Sequence, residues 1–128
     1  MADSERASFR GKKPSRFSRH PQPGYKTMGR VWMEKDGELY VGWGRVMLLE
    51  RIEKLGSIAE AARSMRLSYR NAWLWIEAMN RLAPAPLVAK TTGGVGGGSA
   101  RLTEEGRKVI NEYKELRSRF QKFLEQEA

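Results

Sequence analysis

Residues 56–82 read GSIAEAARSMRLSYRNAWLWIEAMNRL, and two helix starts lie inside that run. Ser57 precedes a helical pattern with Glu60 three residues on, the S-x-x-E box in which the two side chains satisfy free amides of the first turn. Ser68 stands where a second N-cap belongs, ahead of Ala72, Ile76 and Met79 on one stripe. The spacing predicts two short helices joined by a tight turn, with small Ala61 and Ala62 where they approach and Leu67 plugging the turn. Arg66 occupies the turn position where glycine would be easier, and left-handed geometry there costs about 1–2 kcal/mol.

Upstream, Val31, Met33, Leu39 and Val41 alternate on either side of Asp36-Gly37. Asp-Gly between alternating apolar residues predicts a hairpin. Leu48, Leu49, Ile52 and Leu55 then recur at helical spacing, and Gly56 follows as a stop. That helix is expected to begin near Gly44 or Arg45.

Downstream, Pro84 and Pro86 close the second short helix, and Leu87–Lys90 reads as a strand. The loop TTGGVGGGSAR follows at residues 91–101, with Ala100–Leu102 returning as partner strand. Thr103 is placed to cap a last helix of about 103–127, on which Val109, Tyr113, Leu116, Phe120 and Phe123 recur at steps of four and three. Such a seam predicts helix pairing, and we expect it to form a dimer contact.

The order of elements is hairpin, helix, short helix, turn, short helix, strand, glycine loop, strand, long helix. The fold class is therefore mainly α, a winged helix-turn-helix with a β-hairpin wing, an N-terminal β-hairpin and a long C-terminal helix. Residues 29–128 form this domain. Residues 1–28 carry seven Lys/Arg against two acids, about half of the chain's net charge of +9, with no apolar period. This arm is expected to be disordered, either as a solvated tail or as extra phosphate affinity.

A net charge of +9 and a pI near 10.2 draw polyanions, nucleic acid or an anionic membrane surface. There is no cysteine, and the one histidine, His20, lies in the arm. A thiolate site is excluded, and no nucleophile–base pair for an enzyme is in view. The glycine loop lacks the lysine of a phosphate-binding P-loop and is not followed directly by a helix. No apolar run reaches the length of a membrane-spanning helix, and a cytoplasmic protein is expected.

With the stripe of the second short helix turned inward, its other face presents Tyr69, Arg70, Asn71, Leu74 and Trp73. Arginine pairs with guanine O6 and N7 and asparagine with adenine N6 and N7, so Arg70 and Asn71 are the candidates for base readout. Ser68 and Tyr69 suit phosphate oxygens at a helix N-terminus, and Ser57, at the start of the preceding helix, is also expected among the DNA contacts. Trp75 is read as packing, whereas Trp73 is open to either role. In the wing, Thr91, Thr92, Ser99 and Arg101 are candidate donors to the DNA backbone, with Gly93 and Gly94 allowing close approach.

The motifs G-S-I-x-x-A-A, S-Y-R-x-A-W-x-x-I-x-x-M-N, P-L-V and T-G-G-x-G-G-G-x-A-x-L-T-x-x-G resemble the N-terminal DNA-binding domain of the molybdate-responsive regulator family ModE, related to the helix-turn-helix of LysR-type regulators. The resemblance runs from about Val31 to the end. It implies a homodimer on inverted repeats, with Ser57 through Met79 as helix-turn-helix, Ser68, Tyr69 and Arg70 at the groove, and Arg101 beside the wing. Members of the family carry a molybdate-binding region after this domain. The chain stops at Ala128, so molybdate and other cofactors are not expected to bind it, and a separate effector-sensing partner would supply any signal. The rival expectation is a protein-interaction and dimerisation module with only nonspecific nucleic-acid binding. Preference among DNA sequences separates the two, since a specific protein favours its site by about a thousandfold or more.

Overall fold

A computed structural model describes residues 23–91 and 99–127, which form two units, 31–118 and the ends of the chain beyond it. In the larger unit, strands β1 (Met33–Lys35) and β2 (Glu38–Val41) make an antiparallel hairpin. Asp36 and Gly37 both take positive φ, 51° and 81°, the primed-turn geometry whose twist matches the strands.

The alternation expected of this hairpin is broken at one place. Met33 faces Val41 while Glu34 faces Leu39, so Tyr40 is an extra residue, a bulge. The bulge resets the inside–outside phase. Val41 is fully buried and Tyr40 packs on the core, whereas Leu39, expected inside, is exposed. Arg45 donates to both carbonyls at the bulge, Leu39 O at 2.9 Å and Tyr40 O at 3.3 Å.

Helix α1 (Trp43–Leu55) starts one residue earlier than expected and ends on Gly56 at φ 73°. Val46, Leu48, Leu49 and Ile52 fill the core, and Leu55 is left exposed at its edge. Helix α2 (Ile58–Ser64) is capped by Ser57, whose hydroxyl accepts from the Glu60 amide at 3.2 Å. Its end forms a Schellman motif: the Leu67 amide reaches Ala62 O at 2.9 Å and the Arg66 amide reaches Arg63 O at 3.1 Å. Arg66 takes φ 55°, the left-handed conformation considered above. Leu67 packs beneath the turn, and Arg51 of α1 braces it from outside through Ser64 Oγ at 2.8 Å.

Helix α3 (Tyr69–Leu82) follows at once, with Ala72, Ile76, Met79 and Leu82 buried. Strands β3 (Val88–Lys90) and β4 (Ala100–Leu102) pair antiparallel, Ala89 opposite Arg101. Helix α4 (Glu104–Glu127) is capped by Thr103, which accepts from the Gly106 amide at 3.0 Å.

The helix pairing expected of α4 occurs inside the protomer. Arg107 meets Glu53, Lys114 meets Glu50, and the Arg117 guanidinium lies 4.1 Å from the Trp43 ring centre. As α4 advances its partners on α1 recede, so the two helices are antiparallel. Val109 and Tyr113, expected at a dimer contact, are therefore in the protomer's own core, 2% and 1% exposed. The Tyr113 hydroxyl donates to Val31 O at 2.8 Å, and burial pushes its pKa up. Leu116 is half-buried. In the other unit Gly29 lies against Phe120 and Leu124, and Phe120 stacks on the exposed Phe123 at 6.5 Å. Residues 1–22 of the expected arm lie outside the described residues.

Two residues join α3, the β3–β4 hairpin and α4. Asn80 accepts from the Leu87 amide at 2.8 Å and donates to Val88 O at 3.2 Å. Gly106 sits where an added Cβ would lie 2.4 Å from Leu87 O and 2.6 Å from the Leu102 side chain. A backbone carbonyl cannot rotate away, so Gly106→Ala should destabilise the domain by about 2–3 kcal/mol, read as a lower midpoint in urea unfolding. Asn80→Ala should cost about 2 kcal/mol by leaving the buried Leu87 amide unpaired, and Asn80→Asp should recover only part of it because the donor to Val88 is lost.

Candidate nucleic-acid interface

Helix α3 divides its side chains among three stripes. Ala72, Ile76 and Met79 hold it to the core. Trp73, Glu77 and Asn80, at i, i+4 and i+7, lie along β3: Asn80 binds Leu87 and Val88, Glu77 pairs with Lys90 at 2.9 Å, and the Lys90 ammonium lies 5.0 Å from the Trp73 ring centre. The remaining face is free. Tyr69, Arg70, Asn71 and Leu74 are exposed, Tyr69 by 56%.

Ser68 caps this helix as expected, its hydroxyl accepting from the Asn71 amide at 3.0 Å. The cap fixes the first turn, on which Tyr69, Arg70 and Asn71 stand. Arg63, Arg66, Arg70 and Arg101 are exposed and make no ion pair among the described residues. By contrast Arg81, Lys90, Arg107 and Lys114 are each matched to a carboxylate. The pairing of Arg81 with Glu38 holds that exposed carboxyl below its ordinary pKa. Among the described residues, exposed cations without a carboxylate partner also occur at Lys35, Lys54 and Lys108. What sets Arg63, Arg66, Arg70 and Arg101 apart is their place on the helix-turn-helix and at β4, where a polyanion could reach them together.

Several expected contact residues have other partners. Ser57 serves as the α2 cap and is half-buried. Thr91 and Ser99 are bonded to each other: the Thr91 amide donates to Ser99 O at 2.8 Å, its hydroxyl donates to the same carbonyl at 3.1 Å, and the two hydroxyls touch. They close the stem of the β3–β4 hairpin. Trp73 is turned toward Lys90, and Trp75 packs on the core with the Arg45 guanidinium 5.9 Å from its ring centre. Thr92, Gly93 and Gly94 lie outside the described residues. Sequence reasoning passed over Asn80, Glu77 and Lys90. Their signal is the shared i, i+4, i+7 stripe on α3, legible only once β3 is known to run beside it.

A capped helix with an exposed first turn, held by a preceding short helix and a tight turn and flanked by a β-hairpin, defines a DNA-binding domain of the winged helix-turn-helix class. The sequence matches the bacterial regulatory helix-turn-helix proteins of the LysR family over residues 43–107, and the chain belongs to that family. Within it the domain is ModE-like. It is 40% identical over 98 residues to the molybdenum transport protein ModE of Azotobacter vinelandii, covering 77% of this chain and 36% of that one. It is 44% identical over 94 residues to the molybdenum-pterin-binding protein MopB of Rhodobacter capsulatus, covering 73% and 34%. Against the DNA-binding transcriptional dual regulator ModE of Escherichia coli K12 the identity is 41% over 76 residues, covering 59% and 29%. The chain spans about a third of the length of these curated relatives. Membership makes it a regulator's DNA-binding domain and not an enzyme. Among the described residues no helix is long and apolar enough to cross a membrane.

Loss of the Ser68 cap should loosen the first turn of α3. Ser68→Ala is expected to lower stability by about 1 kcal/mol in thermal unfolding, and Ser68→Asp to retain most of it.

Proposed function

We propose that the chain is a sequence-specific DNA-binding transcriptional regulator that acts as a homodimer on pseudo-palindromic operators. Helix α3 enters the major groove from Ser68, and the glycine-rich loop between β3 and β4 lies on the backbone or in the minor groove. The observation that carries this reading is the unpaired, exposed Arg70 in the capped first turn of α3, beside Asn71 and Leu74. Arg70 and Asn71 read base edges, Ser68 and Tyr69 hold phosphates, and Arg63, Arg66 and Arg101 add backbone contacts.

A dimer contact in this reading draws on the rest of the α4 seam, the half-buried Leu116 and Phe120 and the exposed Phe123, after Val109 and Tyr113 are committed to the core. The basic residues 1–28 add affinity that does not depend on sequence. The proposal needs no cofactor, and a cytoplasmic location goes with it.

Selection of bound sites from random duplex DNA tests the proposal: an enriched inverted repeat supports it, and binding with no more than a fewfold preference sinks it in favour of an interaction module. On the selected operator Arg70→Ala should cost about 1–3 kcal/mol and relax preference at one base position. A loss equal on all sequences would make Arg70 a phosphate contact.

A further inference from the structure

We infer that Glu77 and Lys90, with Trp73, form a latch that sets the angle between the recognition helix and the wing, so that both are positioning residues for DNA readout. This rests on the DNA-binding reading above and adds to it a pair of residues that need touch no base.

Among the described residues Lys90 is the outermost tie between the two elements. β3 runs beside the α3 stripe of Trp73, Glu77 and Asn80, with Asn80 holding its beginning at Leu87 and Val88. Its end is held by the ion pair of Lys90 with Glu77 at 2.9 Å and by the ammonium 5.0 Å from the Trp73 ring centre. The next residue, Thr91, is bonded to Ser99 across the stem. Any swing of the hairpin away from α3 must therefore break the contacts of Lys90 first. The Lys90 and Glu77 side chains are 31% and 44% exposed, so the pair is partly shielded from solvent and keeps more of its strength than a fully exposed one.

An acid on the recognition helix of a DNA-binding domain otherwise has the wrong sign, since a carboxylate close to phosphates weakens binding. Glu77 answers a different need: it turns a wing lysine back toward the protein. Lys90 accordingly spends its charge on orientation, while the exposed, unmatched Arg70 and Arg101 are left for the polyanion of the proposed function.

The two roles open to Lys90 predict opposite signs. A latch requires that Glu77→Gln weaken operator binding, by about threefold, even though it removes a negative charge. Lys90→Gln, which also loses the ring contact, should weaken it by about five- to tenfold, and the double variant should be no worse than Lys90→Gln alone. Lys90→Arg should restore most of the loss. Binding to an unrelated duplex should fall by less in every case. If Lys90 is instead a phosphate ligand that Glu77 restrains, Glu77→Gln tightens binding and Lys90→Gln lowers the slope of log K against log salt by about one; that result overturns the latch.

Hydrogen exchange reads the latch without DNA. The Thr91 amide, bonded to Ser99 O, should exchange faster in both Gln variants, while the Ala62 and Ile76 amides keep their protection. Unchanged exchange at Thr91 would also overturn the latch, whereas a wild-type protein without sequence preference would overturn the DNA-readout proposal and leave this measurement able to judge the latch.

Discussion

The main chain of Leu87 is where the elements of the domain are tied together. Its amide donates to Asn80 of α3, and its carbonyl accepts from the Thr103 amide at 2.9 Å just ahead of α4. Gly106 lets the first turn of α4 come against that same carbonyl, closer than any side chain would allow. Both main-chain polar groups of a buried residue need partners, and here one comes from α3 and the other from the cap of α4. The arrangement fixes where the wing leaves the body and how α4 starts, and the core behind it follows from those two placements.

Because β3 is held at its beginning by Asn80, α3 cannot present all of its outer surface to a ligand. One stripe is in the core, one lies along the hairpin, and a strip of Tyr69, Arg70, Asn71 and Leu74 remains. The tight turn before it depends on Arg66 in a conformation that an L-residue adopts at a cost of about 1–2 kcal/mol. The three amide bonds at the end of α2, from Met65, Arg66 and Leu67, together with the burial of Leu67, offset that cost. The rigid part of the interface is thus built from ordinary local devices, caps and a Schellman turn.

Much of this was legible in advance where the cause is local. Asp36-Gly37 demands a primed turn, Ser57, Ser68 and Thr103 cap helices, and Gly56 ends one; each acts within a few residues of itself. The face of a strand was less legible. One extra residue at Tyr40 moved Leu39 to the surface, and nothing in the alternating pattern marks a bulge whose carbonyls are held by Arg45 from another element. The same holds for Thr91 and Ser99, which look like free donors until the hairpin pairs them with each other.

By itself the sequence determined the order and extent of the helices and strands, the inward stripe of α3, and a basic surface, because those follow from periodicity, capping chemistry and charge count. Tertiary structure alone decided what each apolar seam meets. Val109 and Tyr113 carry the spacing of a helix pair, and that spacing is the same whether the partner is α1 of one chain or α4 of another. The antiparallel contacts of α4 with Glu53, Glu50 and Trp43 settle it in favour of α1. Likewise Trp73, Glu77 and Asn80 became a stripe with a purpose only when β3 was laid beside them, since a periodic pattern states that a face has a partner and not which one.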